Sequence, residues 1–372
     1  MSSFNDLANR WIRSLGVYEP GRPIEEVARE LGFDDPDDIV KLASNENALG
    51  PSPRAVKAMQ KAAGAMHRYP DGSAFYLRQA LAAKLGVAAD QILMGSGSNE
   101  ILEFLGHVFL APGTSIVMAD RAFVVYKLVA DMFQARTIAA PMQHLTHDLD
   151  AMLKAITPDT RLVFVSNPNN PTGTMVDGEA IDRFMARVPD HVVVVLDEAY
   201  VELLPPDEQP DTLRYVREGR NVVVLRTFSK TYGLAGLRLG YAVAPVECIA
   251  LLQRVRQPFN TTAMAQAAAL AALKDGAYVA RTRKLVQHGL RQLEQGFAKL
   301  RLASVPSRAN FILVRVGKGR AVCAALEQAG VIVRPVDGYG LPEYVRITVG
   351  TAAENRRCLR ALRRVLGRKG AS

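Results

Sequence analysis

Between about residue 90 and residue 245, short β-branched runs alternate with helix-like segments. The runs are Ile92–Met94, Ser115–Met118, Arg161–Ser166, Val192–Leu196, Asn221–Arg226 and Leu239–Ala244, and most end in polar or glycine-rich turns. Val192–Leu196 is four valines and a leucine, the mark of a strand buried on both faces. Strands alternating with helices predict a mostly parallel sheet covered by helices, an α/β/α layer architecture. The stretch Asn260–Leu273 (NTTAMAQAAALAAL) predicts a helix of small residues. After it the pattern changes. A long charged helix is expected over Gly276–Ala298, then strands at Asn310–Val316 and Val331–Pro335 flanking a helix at Arg320–Ala329. A further strand at Tyr344–Val349 and a basic terminal helix close the chain. This is a smaller α+β unit, which the first 40 or so residues are expected to join, because chain ends tend to lie close together. The expected division is 1–42, an N-terminal arm and part of the small domain; 43–258, the large domain; and 259–372, the small C-terminal domain.

Length agrees with two domains: 372 residues at ~100–200 per domain. Apolar residues make up 49 % and charged residues 22 %, which excludes a disordered chain and a collagen. Cys248, Cys323 and Cys358 are too far apart for a CxxC metal or redox spacing. Their odd number predicts reduced thiols and a cytoplasmic location. No apolar run approaches the ~18 residues that span a bilayer, and Met1 to Arg13 lacks an apolar signal core, so neither membrane insertion nor export is expected. The net charge of +9 is spread over mixed-charge, helix-like stretches such as Arg281–Lys299. It reads as a solvated basic surface. No nucleic-acid recognition pattern accompanies it, so no nucleic-acid partner is expected.

In an open parallel sheet, ligands bind at the carboxyl ends of the strands. The residues that follow each run therefore carry the chemistry. After Ile92–Met94 comes Gly95-Ser96-Gly97-Ser98-Asn99-Glu100, then an apolar periodic run. This is a glycine turn leading into a helix start, which offers unpaired N–H groups to an anion. A plain helix start capped by Ser98 or Asn99 is the alternative. After Arg161–Ser166 comes Asn167-Pro168-Asn169-Asn170-Pro171-Thr172-Gly173, a stiff turn that fixes amide side chains. After Val192–Leu196 comes Asp197-Glu198-Ala199-Tyr200. A carboxylate at the exit of a buried strand needs a cationic partner, such as a protonated pyridine nitrogen or an arginine. After Asn221–Arg226 come Thr227, Ser229 and Lys230. A lysine at a strand exit is a candidate Schiff-base nucleophile. The glycine-rich stretch beyond it brings Arg238, suited to phosphate, back towards the same edge. A phosphate cradle, an asparagine loop, an aspartate, a tyrosine and a lysine at successive strand ends match the needs of pyridoxal 5'-phosphate.

The chain resembles the class II branch of the fold-type I pyridoxal-phosphate aminotransferases, over roughly Ala43 to Thr351. The marks are LASNEN (Leu42–Asn47), RYPDG (Arg68–Gly72), GSGSNE (Gly95–Glu100), NPNNPTG (Asn167–Gly173), DEAY (Asp197–Tyr200), TFSKTYGLAGLRLGY (Thr227–Tyr241) and VRITVG (Val345–Gly350). The resemblance implies a fold-type I transferase in which Lys230 takes the cofactor aldehyde as an imine and later shuttles a proton. It implies that Asp197 pairs with the pyridine nitrogen and that Tyr200 and Asn170 meet the ring hydroxyl. It assigns Thr227, Ser229, Arg238 and the N–H groups of Ser98 and Asn99 to the phosphate. Tyr69 would reach the cofactor phosphate of a neighbouring subunit, which implies a homodimer with shared active sites. Phe123 takes the ring-stacking position. There the sequence Asp120-Arg121-Ala122-Phe123 departs from the Pro-Pro-Thr-Tyr of relatives; stacking survives the loss of the hydroxyl.

For substrate, the resemblance implies that Arg346 takes a carboxylate. It implies that Arg334 and Tyr18 meet a substrate phosphate or the distal carboxylate of glutamate, and that Asn45 lies near the amino-acid end. The expected reaction is ping-pong transamination between a phosphorylated amino alcohol, histidinol phosphate, and the 2-oxo acid 2-oxoglutarate. Aromatic amino-acid transamination and threonine-phosphate decarboxylation use the same cofactor motifs and are the rivals. A non-catalytic binding module on this fold is disfavoured by the intact Lys230, Asp197 and Arg238. His144 and His147 read as surface or loop histidines. No HExxH is present, and no metal site is expected.

Overall fold

A computed structural model describes residues 3–17, 19–35 and 38–367. The seven-stranded sheet has the order Ile92–Gly95, Gly240–Val243, Val222–Thr227, Val193–Asp197, Thr160–Ser166, Ser115–Ala119, Arg136–Ala140. Gly240–Val243 runs antiparallel to both neighbours, and the other neighbouring strands of this sheet pair in parallel. Six of these strands coincide with the six sequence runs; Arg136–Ala140, at the sheet edge, was not among them. Period-two alternation assigns the side chains to two cores. Val163, Val165, Val194, Leu196, Val222 and Val224 belong to one, and Leu162, Phe164, Val195, Val223 and Leu225 to the other. Helices cover both faces, so the central strands are apolar on successive residues through their middles and carry their polar residues at their ends.

The second sheet has the order Val40–Leu42, Val331–Pro335, Tyr344–Thr348, Phe311–Arg315, Ser304–Val305. Val40–Leu42 pairs in parallel with Val331–Pro335, which joins the N-terminal segment to the C-terminal unit. Gly276–Lys299, Gly319–Gln328 and Ala352–Val365 are its helices, and the last starts with a capping box between Thr351 and Glu354.

One boundary differs from expectation. The helix Ala263–Leu273 is capped by Thr262 and packs on Pro53–Ala63. Its buried Ala265, Ala268, Ala269 and Ala272 share a core with the large sheet. A helix faced with alanines allows this close approach, and a division at 258/259 would cut through that core. His147 also departs from its reading. It lies in the short strand Thr146–His147, is buried, and its Nε2 contacts the carbonyl of Ser166 at 2.9 Å. A carbonyl only accepts, so Nε2 carries the proton. Burial holds this imidazole neutral, with its pKa lowered to about 4. His144 is exposed, as expected.

Candidate active site

A cavity of about 390 Å³ opens at the carboxyl ends of the large sheet, where the smaller unit faces it. Its volume suits a cofactor with a small substrate. Strand register brings its chemistry together. Ser166 and Asp197 are partners on adjacent strands, and Asp197 is opposite Leu225 on the strand that leads into Thr227–Lys230.

One end is an anion cradle. The helix Ser98–Phe109 begins after Gly97, whose φ of +78° suits glycine. Gly97 is the cap residue, so neither Ser98 nor Asn99 caps with its side chain, and their N–H groups are at the helix start. A Cβ on Gly97 would come within 2.6 Å of Arg238 Nη2, and one on Gly240 within 2.5 Å of the Ser98 nitrogen. The two glycines thus let the guanidinium, the neighbouring strand and the helix start converge. The Thr227 hydroxyl accepts from the Ser229 N–H at 3.0 Å and donates to the Leu239 carbonyl at 3.3 Å, fixing the turn that presents Ser229 and Lys230.

Lys230 Nζ donates to the Ser44 carbonyl at 3.2 Å. Burial, then the charges of Arg346 and Arg238, lower its pKa to about 8. A buried amine close to neutral is a competent nucleophile and proton carrier. Asp197 is 4 % exposed. Burial raises its pKa, while hydrogen bonds from Tyr126 and the Ala199 N–H oppose the rise. No arginine answers this carboxylate among the described ion pairs; the arginine expected at this strand exit pairs with its neighbour. Arg226 donates to Glu198 Oε2 from Nε at 2.9 Å and from Nη2 at 2.7 Å. Asp197 lines the cavity, with the Tyr126 hydroxyl and the Ala199 N–H as its hydrogen-bond donors.

Tyr200 is buried and accepts from Asn45 Nδ2 at 2.9 Å. Burial raises its phenol to about 12, so the hydroxyl keeps its proton to donate. Asn170 Oδ1 accepts from Arg346 Nη1 at 2.6 Å, which turns its amide nitrogen to other partners. Arg346 Nη2 donates to the Ala43 carbonyl at 2.7 Å, and the guanidinium lies 5.3 Å from the Phe311 ring centre. Arg334 pairs across the strands with Arg346 and donates to the Glu19 carbonyl at 2.6 Å. Phe123, Asn45, Arg334 and Arg346 all line the cavity.

Tyr18 lies outside the described residues. Tyr69 is 83 % exposed, stacks on Phe259 at 4.7 Å and does not line this chain's cavity. Sequence reasoning missed Tyr126, whose hydroxyl reaches Asp197, along with Ser44 and Tyr339 in the lining. For Tyr126 the only available signal was an aromatic one helical turn after Phe123.

Behind the site, Glu202 is a second buried carboxyl, and neither oxygen has a hydrogen-bond partner on another of the described residues. Burial raises its pKa to about 7, with the Arg226 charge opposing. The folded chain therefore binds this proton more tightly than the unfolded chain, whose value is near the ordinary 4.5. Its contribution to stability is full below that ordinary value and is lost as pH rises through about 7. Glu202→Gln keeps the shape without the charge. It is expected to raise the melting temperature by a few degrees at pH 8 and to change it little at pH 5. An equal shift at both pH values would refute the assignment.

Residues 37–362 match the family model described as aminotransferase class I and II. The chain is similar to the histidinol-phosphate aminotransferase of Akkermansia muciniphila, 52 % identical over 98 % of this chain and 100 % of that one. It is 51 % identical to the histidinol-phosphate aminotransferase of Moorella thermoacetica, over 95 % of this chain and 92 % of that one. Among solved structures it resembles the histidinol-phosphate aminotransferase of Sinorhizobium meliloti in complex with pyridoxal-5'-phosphate. That likeness has a TM-score of 0.87 and 28 % identity, covering 96 % of each chain. Among the described residues, no helix is long and apolar enough to cross a membrane.

Proposed function

The chain belongs to the class I and II aminotransferases, and on that premise we propose that it uses pyridoxal 5'-phosphate to exchange the amino group of histidinol phosphate for the oxo group of 2-oxoglutarate. The product pair is imidazole acetol phosphate and glutamate, a step of histidine biosynthesis. The observation that carries this reading is one cavity holding the buried Lys230 amine, the cation-seeking Asp197, an anion cradle at Arg238 and two further arginines, Arg334 and Arg346.

The donor set fits the cofactor. When bound, pyridoxal phosphate supplies an aldehyde that condenses with amines and a ring that accepts the electron pair of a broken C–H bond. The N–H groups of Ser98 and Asn99, the Thr227 and Ser229 hydroxyls and Arg238 hold its phosphate. Asp197 keeps the ring nitrogen protonated, Tyr200 and Asn170 give hydrogen bonds to the ring hydroxyl, and Phe123 packs against the ring. Lys230 Nζ, neutral once displaced, takes the proton from the carbon that bears the amino group and returns it one position along. Arg346 receives the carboxylate of glutamate. Arg334, with Tyr18, receives the substrate phosphate or the distal carboxylate, and Asn45 orients Tyr200.

The active unit in this reading is a homodimer. Exposed Met66, Tyr69, Phe75, Tyr76 and Phe259 supply an apolar surface close in sequence or contact to RYPDG, and Tyr69 would reach the partner's cofactor phosphate. We assign the large unit to the seven-stranded sheet and the smaller one to both chain ends. The three cysteines, all free, suit the cytoplasm.

The test is the first half-reaction of the purified pyridoxal-phosphate form, followed by absorbance as it converts to the pyridoxamine form. Histidinol phosphate is expected to convert it at least ~10-fold faster than phenylalanine or threonine phosphate, a margin readily supplied by one charged phosphate contact. Faster conversion with phenylalanine would make this an aromatic aminotransferase.

A further inference from the structure

Tyr126 belongs to the helix Val125–Met132, yet its hydroxyl reaches across two strand ends. It donates to Asp197 Oδ2 at 2.7 Å, while Asp197 Oδ1 accepts the Ala199 N–H at 3.2 Å. The Ser166 side chain, on the adjoining strand, also hydrogen-bonds the phenol. The ring is held on two sides. It stacks on Phe164 at 4.5 Å and 6°, and meets Phe123 edge-on at 5.6 Å and 87°. Tyr126 has no exposed surface. Burial and the Asp197 charge push its phenol well above the ordinary range, so it remains a donor.

We propose that Tyr126 is a positioning residue of the reaction: its hydroxyl holds the Asp197 carboxylate in its ionised form and in the orientation that pairs with the cofactor's ring nitrogen. This deepens the function proposed above and rests on the Asp197 role assigned there. A carboxylate buried at a strand exit loses its hydration, and each donor it gains favours the charged form. A neutral Asp197 could not hold a proton on the ring nitrogen. Tyr126 donates to one Asp197 oxygen and the Ala199 N–H to the other, and of the two donors only Tyr126 is a side chain, one that also touches Phe123. The same aromatic contact therefore fixes the wall against which the ring packs and the carboxylate at its edge.

Tyr126→Phe removes the hydroxyl and keeps the ring contacts. In the full-length dimeric protein, the dissociation constant for pyridoxal phosphate is expected to rise, and kcat to fall, by about 10- to 100-fold, the scale of one hydrogen bond to a charged group. The KM for the amino donor should stay within about twofold, since no substrate contact is lost. A purely packing role would instead lower the melting temperature and leave cofactor affinity and kcat within about twofold, and that result would overturn the proposal. A double-mutant cycle isolates the pair. In an Asp197→Asn background, Tyr126→Phe should add no further loss of cofactor affinity; losses that multiply would overturn it. If Asp197→Asn itself leaves affinity and kcat unchanged, the Asp197 role fails. If Asp197→Asn is damaging and Tyr126→Phe is neutral, only the inference about Tyr126 fails. Should Tyr126→Phe not fold, the combination with Asp197→Asn leaves no buried charge unmet and is expected to fold; its failure would assign Tyr126 to packing alone and overturn the proposal.

Discussion

Lys230→Ala is expected to abolish steady transamination and covalent retention of pyridoxal phosphate together. Among the described residues Lys230 is the one lysine lining the cavity, and burial with two arginines lowers its pKa to about 8. Two functions depend on it. In the proposed function it is both the nucleophile that holds the aldehyde and the base that moves the proton. General acid–base catalysis alone contributes about 10²–10⁴-fold, so a loss of about 10⁴-fold or more is expected once the nucleophile goes too. The measurements are turnover with histidinol phosphate and 2-oxoglutarate, and the mass of the chain after borohydride reduction in the presence of cofactor. Wild type should gain the reduced adduct on the peptide containing Lys230, and the variant should gain none. Sustained turnover in the variant would sink the assignment. The same variant tests the proposal that the site is shared between two subunits. Mixed dimers of Lys230→Ala and Tyr69→Ala chains should recover activity that neither parent has at limiting cofactor, because one of the two sites is then intact. No recovery would remove Tyr69 from the neighbouring site.

The legibility of this chain follows from where its information is local. Val193–Asp197 is covered on both faces, so every residue before Asp197 is apolar and the run ends visibly at that carboxylate. The edge strand Arg136–Ala140 mixes exposed, part-buried and buried positions without alternation, and its sequence carries no such contrast. Ala263–Leu273 is plainly helical, but a segment apolar on every side does not say which core it joins. Most of the residues proposed for the cofactor were readable because they lie in the turns that follow strand exits. Residues that act across the sheet were not. Tyr126 and Asp197 are 71 positions apart, and only register and helix packing join them. Glu198 rather than Asp197 takes the arginine because successive side chains at the strand exit point to opposite faces, and Arg226 is on the face of Glu198. His147 looked like a loop residue because a two-residue strand has no pattern to read.

Arg346→Gln is expected to separate the two half-reactions. Glutamate and 2-oxoglutarate carry carboxylates, whereas histidinol phosphate has none, so a guanidinium that receives a carboxylate serves one partner only. Loss of a buried charge pair costs about 2–5 kcal/mol, so kcat/KM for the glutamate half-reaction should fall about 10²- to 10³-fold. The histidinol phosphate half-reaction should also fall, but by only about 10-fold, because Arg346 holds Asn170 Oδ1 and the Ala43 carbonyl in place. Its charge also opposes protonation of Lys230. Without it the lysine pKa rises, so the limb of the pH–rate profile that reports the neutral amine should move to higher pH in both half-reactions. Single-turnover rates for each half-reaction from pH 6 to 10 measure all of this. Equal losses in the two half-reactions would leave Arg346 as a support for Asn170 and transfer carboxylate recognition to another cation at the cavity, of which Arg334 is the next in line.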